Sequence, residues 1–328
     1  MKKVLLATSI LVATTGFAAA EVTLSGDGRM GVVYNGEDMN FSSRIRAKFN
    51  LSGESDSGLS FGGGFRADQA EGARQGAAGS VWVSGAFGKI EMGDTVGAAE
   101  AIFFDLPEIG FTDLDHHAVT GSNGANEGEF LTGDGADNIT GTRNPALLYT
   151  YSFNEFTVAA SFTDGFSTDP AAAASASVKD DQAFGLGANY AFGDYTVGIA
   201  YEAVNYAAAG VKNTEAVTFG GSAKFNDTTV YGLYTKFKGT NGALKHQYDD
   251  VLGFGVKSTF DATTVSAYVK QTSFTNRQAA LNGKDSVTNY GIGAAYNLGG
   301  GASVVGGLAD SSAPNTNVVA DLGLKFSF

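Results

Sequence analysis

Phe41-Ser42-Ser43-Arg44-Ile45-Arg46-Ala47-Lys48-Phe49-Asn50-Leu51 decides how this chain is to be read. Side chains alternate across an extended strand, so Phe41, Ser43, Ile45, Ala47, Phe49 and Leu51 share one face. Ser42, Arg44, Arg46, Lys48 and Asn50 share the other. An apolar face backed by long cations fits a wall between hydrocarbon and water. The same alternation recurs to the last residue. Phe184, Leu186, Ala188 and Tyr190 oppose Gly185, Gly187 and Asn189; Leu252, Phe254 and Val256 oppose Gly253, Gly255 and Lys257. Leu322, Leu324, Phe326 and Phe328 oppose Asp321, Gly323, Lys325 and Ser327. The bare glycines on the polar face are expected of a wall lining water.

Strand length separates this pattern from a soluble sandwich. The alternating segments run about 10–13 residues, longer than the soluble norm of about 5–6 and matched to a tilted membrane-crossing strand of about 9–11. Aromatics recur at their ends, as interfacial girdles require. About 16 strands are expected, the first over 21–34 and the last over 317–328; that number closed into a barrel leaves an aqueous channel. Closure also leaves no backbone edge unpaired in lipid. Tight turns follow an aromatic residue at Phe153-Asn154-Glu155, Phe192-Gly193-Asp194, Phe225-Asn226-Asp227 and Phe260-Asp261-Ala262. Short turns at one end and longer loops at the other complete an all-β, antiparallel, transmembrane barrel.

Residues 1–20 stand apart. Lys2 and Lys3 precede an apolar run ending in Ala18-Ala19-Ala20, the pattern of a cleaved signal peptide, which leaves 21–328 as one barrel domain. The net charge of −13 excludes nucleic acid, which needs clustered basic surface. No cysteine is present, so hydrogen bonding and burial must hold the fold.

One segment breaks the alternation. After the short strand Lys89-Ile90-Glu91-Met92 comes a connection over about 96–143 with no regular period. It carries Glu100, Asp105, Glu108, Asp113 and Asp115, and no Lys or Arg before Arg143. A connection this long inside a compact domain tends to be functional, and this one is expected to fold into the lumen. Arg29, Arg44, Arg46, Lys48 and Arg66 all fall on polar strand faces. Strand rise and tilt put the four arginines about 20 Å from the tight-turn end, with Lys48 slightly lower. A cationic wall facing an acidic loop would set a transverse field across a narrow gap.

Other constellations are weaker. His116-His117 beside Asp113 and Asp115 lacks the ligand geometry of a transition-metal site. The loop carboxylates are of the type Ca²⁺ takes, without a recognisable spacing. No nucleophile with an orienting base is identifiable, which argues against a hydrolase; an adhesin would carry larger surface loops. A sugar-selective channel would want an aromatic path along the lumen, and inward aromatics are few, Tyr234 and Tyr268 among them.

The chain resembles the Rhodobacter-type general porins of Gram-negative bacteria. Glu21 to Asp27, Met30-Gly31-Val32, Asn40 to Arg44, Ser84 to Asp94, Thr112 to Asp115, Leu147 to Ser152 and Asn317 to Phe328 carry the likeness. The resemblance implies an outer-membrane homotrimer of 16-stranded barrels in contact with outer-membrane lipid. Each barrel would pass small hydrophilic solutes and ions by passive diffusion through a pore constricted by the third loop. The terminal Phe328 resembles the signal read by the barrel-insertion machinery of outer-membrane proteins.

Overall fold

The computed structural model describes residues 21–68, 78–103, 105–114, 130–132, 147–163, 182–206, 213–239, 248–274 and 284–328. The proposed signal segment, Asp115 and His116-His117 lie outside the described residues.

Sixteen antiparallel strands close on themselves. In chain order they are β1 (Glu21–Tyr34), β2 (Met39–Glu54), β3 (Ser60–Asp68), β4 (Ala78–Gly85), β5 (Gly88–Gly93), β6 (Leu147–Phe153), β7 (Phe156–Thr163) and β8 (Gln182–Phe192). They continue as β9 (Tyr195–Asn205), β10 (Thr214–Phe225), β11 (Thr228–Lys238), β12 (Tyr248–Phe260), β13 (Thr263–Phe274), β14 (Ser286–Gly299), β15 (Ala302–Ser311) and β16 (Val319–Ser327). Each strand pairs with its neighbours in sequence, and β1 meets β16 from Asp27↔Ser327 to Tyr34↔Ala320. Beyond β16, Phe328 and Gly26 exchange two backbone hydrogen bonds, at 2.9 and 3.2 Å. No edge is left open.

The tight turns use the residues that tolerate a left-handed backbone. Asn154, Asn226 and Asp261 have φ of 50°, 53° and 51°, and Gly193 has 62°. The aromatic before each turn caps the barrel rim. Ring contacts link Tyr151, Phe153, Phe156, Tyr190, Phe192, Tyr195 and Phe225 into one run over β6–β10, with centroids 4.6–6.1 Å apart.

The alternation read from the sequence is an outside–inside alternation. Leu24, Met30, Phe41, Ile45, Phe254, Ile292 and Leu322 are exposed on the outer face. The buried core is not a layer between two sheets. It lies inside the barrel, where Ile109, Phe111, Leu114, Phe130 and Leu131 are all 0% exposed. These residues belong to the long connection between β5 and β6. Burying each of them contributes about 1.5–3 kcal/mol relative to leaving it in water.

Candidate functional site

The inward-folded segment is built from its apolar side. After β5 the chain makes a short helix, α1 (Ala98–Ile102), against β7–β9. The Ala98 N–H donates to Ser161 Oγ at 3.0 Å, and Asn189 Nδ2 donates to the Ile102 carbonyl at 2.8 Å. From there the described residues run round the inner wall over a track of glycines. A methyl group placed on Gly198 would meet the Phe103 ring at 3.0 Å, and one on Gly253 would meet Leu106 at 2.8 Å. One on Gly307 would meet Ile109 at 2.7 Å, and one on Gly31 would meet the Phe111 ring at 2.9 Å. The expectation that these glycines line water is corrected here. They face inward, but this belt of them seats the loop's apolar side chains.

Leu106, Ile109, Phe111 and Leu114 are buried against that track, while Asp105 just before them and Glu108 among them are exposed. The loop therefore turns an apolar side to the wall and an acidic side to the lumen.

Two buried wall carboxylates fasten it, with the same chemistry. Glu202 on β9 is 1% exposed. It accepts from the Leu131 N–H at 2.9 Å, the Thr132 N–H at 3.3 Å and Thr132 Oγ1 at 2.5 Å. Asp321 on β16 is 6% exposed. It accepts from the Phe111 N–H at 2.8 Å, the Thr112 N–H at 2.7 Å and Thr112 Oγ1 at 2.7 Å. In each case an apolar residue followed by threonine wraps two consecutive amides and a hydroxyl around one carboxylate. Glu202 fastens the base, where Thr132 returns beside Gly97; Asp321 fastens the far end, seven strands round the wall.

The cations lie where the far end arrives. Register puts Lys325, Arg29 and Arg44 on one rung across β16, β1 and β2. Asp27, Arg46 and Asp68 share the next inward rung, and Lys48 stands beside Arg66 on the one after. At about 3.3 Å per residue these rungs span roughly 13 Å along the strands, so the cations form an oblique ladder. Arg29 Nη1 reaches Asp113 Oδ2 at 3.2 Å and the Phe111 carbonyl at 2.8 Å. Lys325 Nζ lies 3.4 Å from Asp113 and 3.8 Å from Glu108. The rest of the ladder has wall partners: Arg44 and Lys48 at 3.5 and 3.9 Å from Asp27, Arg46 and Arg66 at 2.6 and 3.8 Å from Asp68.

Of the acidic residues singled out in the sequence, Glu108 and Asp113 thus meet the cationic wall. Glu100 lies on α1 against β7–β9, and Asp105 follows Phe104 on the exposed edge of the loop. Sequence reasoning missed Glu202 and Asp321 as fasteners, Asp27 and Asp68 as wall partners, and Lys325 as a member of the cationic rung. For Glu202 the signal was a lone charge on an otherwise small or apolar strand. Tyr234 is a second correction. It faces outward, 38% exposed beside Phe219 and Leu252, and Tyr231 takes the inward parity. Tyr268 does face inward, against Gly291. Among the described residues no group of three His, Cys, Asp or Glu side chains is placed to hold a metal.

Comparison with known proteins agrees with this architecture. Residues 7–316 match the family model described as Gram-negative porin. A porin of Rhodobacter capsulatus is 45% identical over 326 residues, covering 94% of this chain and all of that protein. A porin structure refined at 1.8 Å superposes with a TM-score of 0.76 at 42% identity, again over 94% of this chain and all of that one. A mutant porin of Rh. blastica superposes with a TM-score of 0.65 at 26% identity, with the same coverage.

Proposed function

We propose, from the premise that this chain belongs to the Gram-negative porin family, that its passage is narrowed between an acidic loop edge and a cationic wall. The chain is an outer-membrane diffusion channel, not an enzyme. Small hydrophilic solutes and ions cross it passively. The acidic edge comprises Glu108 and Asp113, extended by Glu100, Asp105 and Asp115. The wall comprises Arg29, Arg44, Arg46, Lys48 and Arg66, whose five positive charges exceed the two of Asp27 and Asp68. Low-dielectric walls focus the resulting field across the gap, which orders water and disfavours apolar solutes.

One observation carries this reading: the loop's buried apolar side leaves Asp105 and Glu108 exposed inside the barrel. Members of this family are oligomeric. Cleavage after Ala20, assembly as a homotrimer among outer-membrane lipids, and use of Phe328 by the insertion machinery follow as the finer part of the proposal.

Liposome swelling with sugars of increasing size tests it. Excising residues 104–137 should speed swelling and admit larger sugars, with the folded fraction checked by heat-modifiable migration. Unchanged rates and cutoff would overturn the constriction.

A further inference from the structure

We propose that Asp321 is a positioning residue for ion selectivity: it presents the Asp113 carboxylate between Arg29 and Lys325. The inference rests on the constriction proposed above and concerns a side chain that is itself shut away from the lumen. Asp321 lies on the inward face of β16, two rungs from Lys325, and among the described residues it joins no ion pair. Its Oδ2 instead gathers three donors from residues 111 and 112.

The backbone around it is committed to that contact. Gly110 has φ of +77°, and a methyl group there would collide with both Asp321 carboxylate oxygens. Asp113 has φ of +63°, a left-handed turn that aspartate tolerates. Between these two turns Phe111 sits on the paired glycines Gly31 and Gly323, and its carbonyl accepts from Arg29. The chain therefore wraps one buried carboxylate and then delivers another, Asp113, 3.2 Å from Arg29 and 3.4 Å from Lys325. The Leu114 N–H closes this turn locally on the Ile109 carbonyl, at 2.8 Å, but that bond stays within the loop and does not tie it to the wall. Glu202 cannot replace the hold of Asp321, because it fastens the base of the loop and not its far end.

Three roles for Asp321 give different selectivities. A positioning residue acts through its acceptor oxygen, so Asp321→Asn, whose carbonyl can take the same three donors, should stay close to wild type. Asp321→Ala loses the hold, Asp113 leaves the cations, and reversal potential should shift toward anions, as is expected for Asp113→Asn. A residue acting by its own charge would make Asp321→Asn and Asp321→Ala shift alike. A strut for folding alone would lower the yield of folded barrel and leave selectivity in place.

The experiment is a double-mutant cycle on reversal potential in a low-salt KCl gradient, with purified full-length protein in planar bilayers. We expect the shift caused by Asp113→Asn to fall at least twofold in the Asp321→Ala background and to persist in Asp321→Asn. An undiminished Asp113→Asn shift in Asp321→Ala, or equal shifts from Asp321→Asn and Asp321→Ala, would overturn the inference and leave the constriction standing. If Asp113→Asn shifts nothing in the wild-type background, the constriction itself falls and the inference with it. Should Asp321→Ala fail to insert, Thr112→Val removes one of the three donors and keeps the carboxylate. It should shift selectivity in the same direction by less; no shift would overturn the inference.

Discussion

Arg29 and Asp113 are 84 residues apart in sequence and 3.2 Å apart in space, at the seam where the first strand meets the last. The pair ties the long loop to the closure of the barrel, because Lys325 from the last strand reaches the same carboxylate. Its side chains are 14% and 25% exposed, between a surface pair worth under about 1 kcal/mol and a buried pair that costs about 3–5 to break. Arg29→Gln also weakens the bond to the Phe111 carbonyl. We expect loop docking to lose about 1–3 kcal/mol on that scale. Amides of 109–114 should then exchange roughly ten- to a hundredfold faster by mass spectrometry. Unchanged exchange would mean the pair contributes nothing to docking.

The base of the loop depends on Glu202. Glu202→Ala strands two amides and a hydroxyl in a site that is 1% exposed. Hydrogen bonds to a charged group contribute about 1.5–3 kcal/mol each in mutational series, and they are not additive. A total loss of about 3 kcal/mol is expected, with Thr132→Val costing less. The temperature at which the folded band converts to the unfolded one on gels should drop in that order.

The glycine track predicts a change in bore without a change in fold. In Gly307→Val the Cβ alone would stand 2.7 Å from Ile109 and 2.8 Å from the Gly110 amide. The loop must lift off the wall, so single-channel conductance should fall while the barrel still closes. Gly232 is the control, since a side chain there would meet only Phe254 on the outer face, at 3.5 Å. Gly232→Val should conduct as wild type does.

The strands were legible because alternation is local, and each runs far enough for the period to show. The loop's lumen location could be inferred from its length and charge. Its fastening could not: Thr132 and Glu202 are 70 residues apart, Thr112 and Asp321 209 apart, and no local pattern joins them. Tyr231 and Tyr234 show where the period fails. On β11 the inward face is apolar too, because Leu233 lies under Leu106, and an aromatic on either parity then satisfies the pattern. The wall partners of Arg44 and Arg46 were hidden for a related reason: a carboxylate on a polar face reads as ordinary solvation until the register is known.

Phe328 bears on assembly. It is 73% exposed, and its backbone pairs with Gly26. Phe328→Ala keeps those backbone bonds and removes the ring. If the ring is read by the insertion machinery, folded barrel in cells should decline severalfold while refolding of the purified protein in detergent stays unchanged. Equal losses in both would assign the ring to stability instead.

The most direct test of the central claim is the sign of selectivity in two opposed variants. Arg44→Gln with Arg46→Gln removes positive charge from the wall, and Glu108→Gln with Asp113→Asn removes negative charge from the loop. Screening acts over about 8 Å at physiological salt, so the contrast is greatest in dilute KCl. Reversal potentials should move toward cation preference in the first variant and toward anion preference in the second, converging as salt is raised. Potentials that stay put in both variants at low salt would mean that neither set of charges lines the narrow part of the pore.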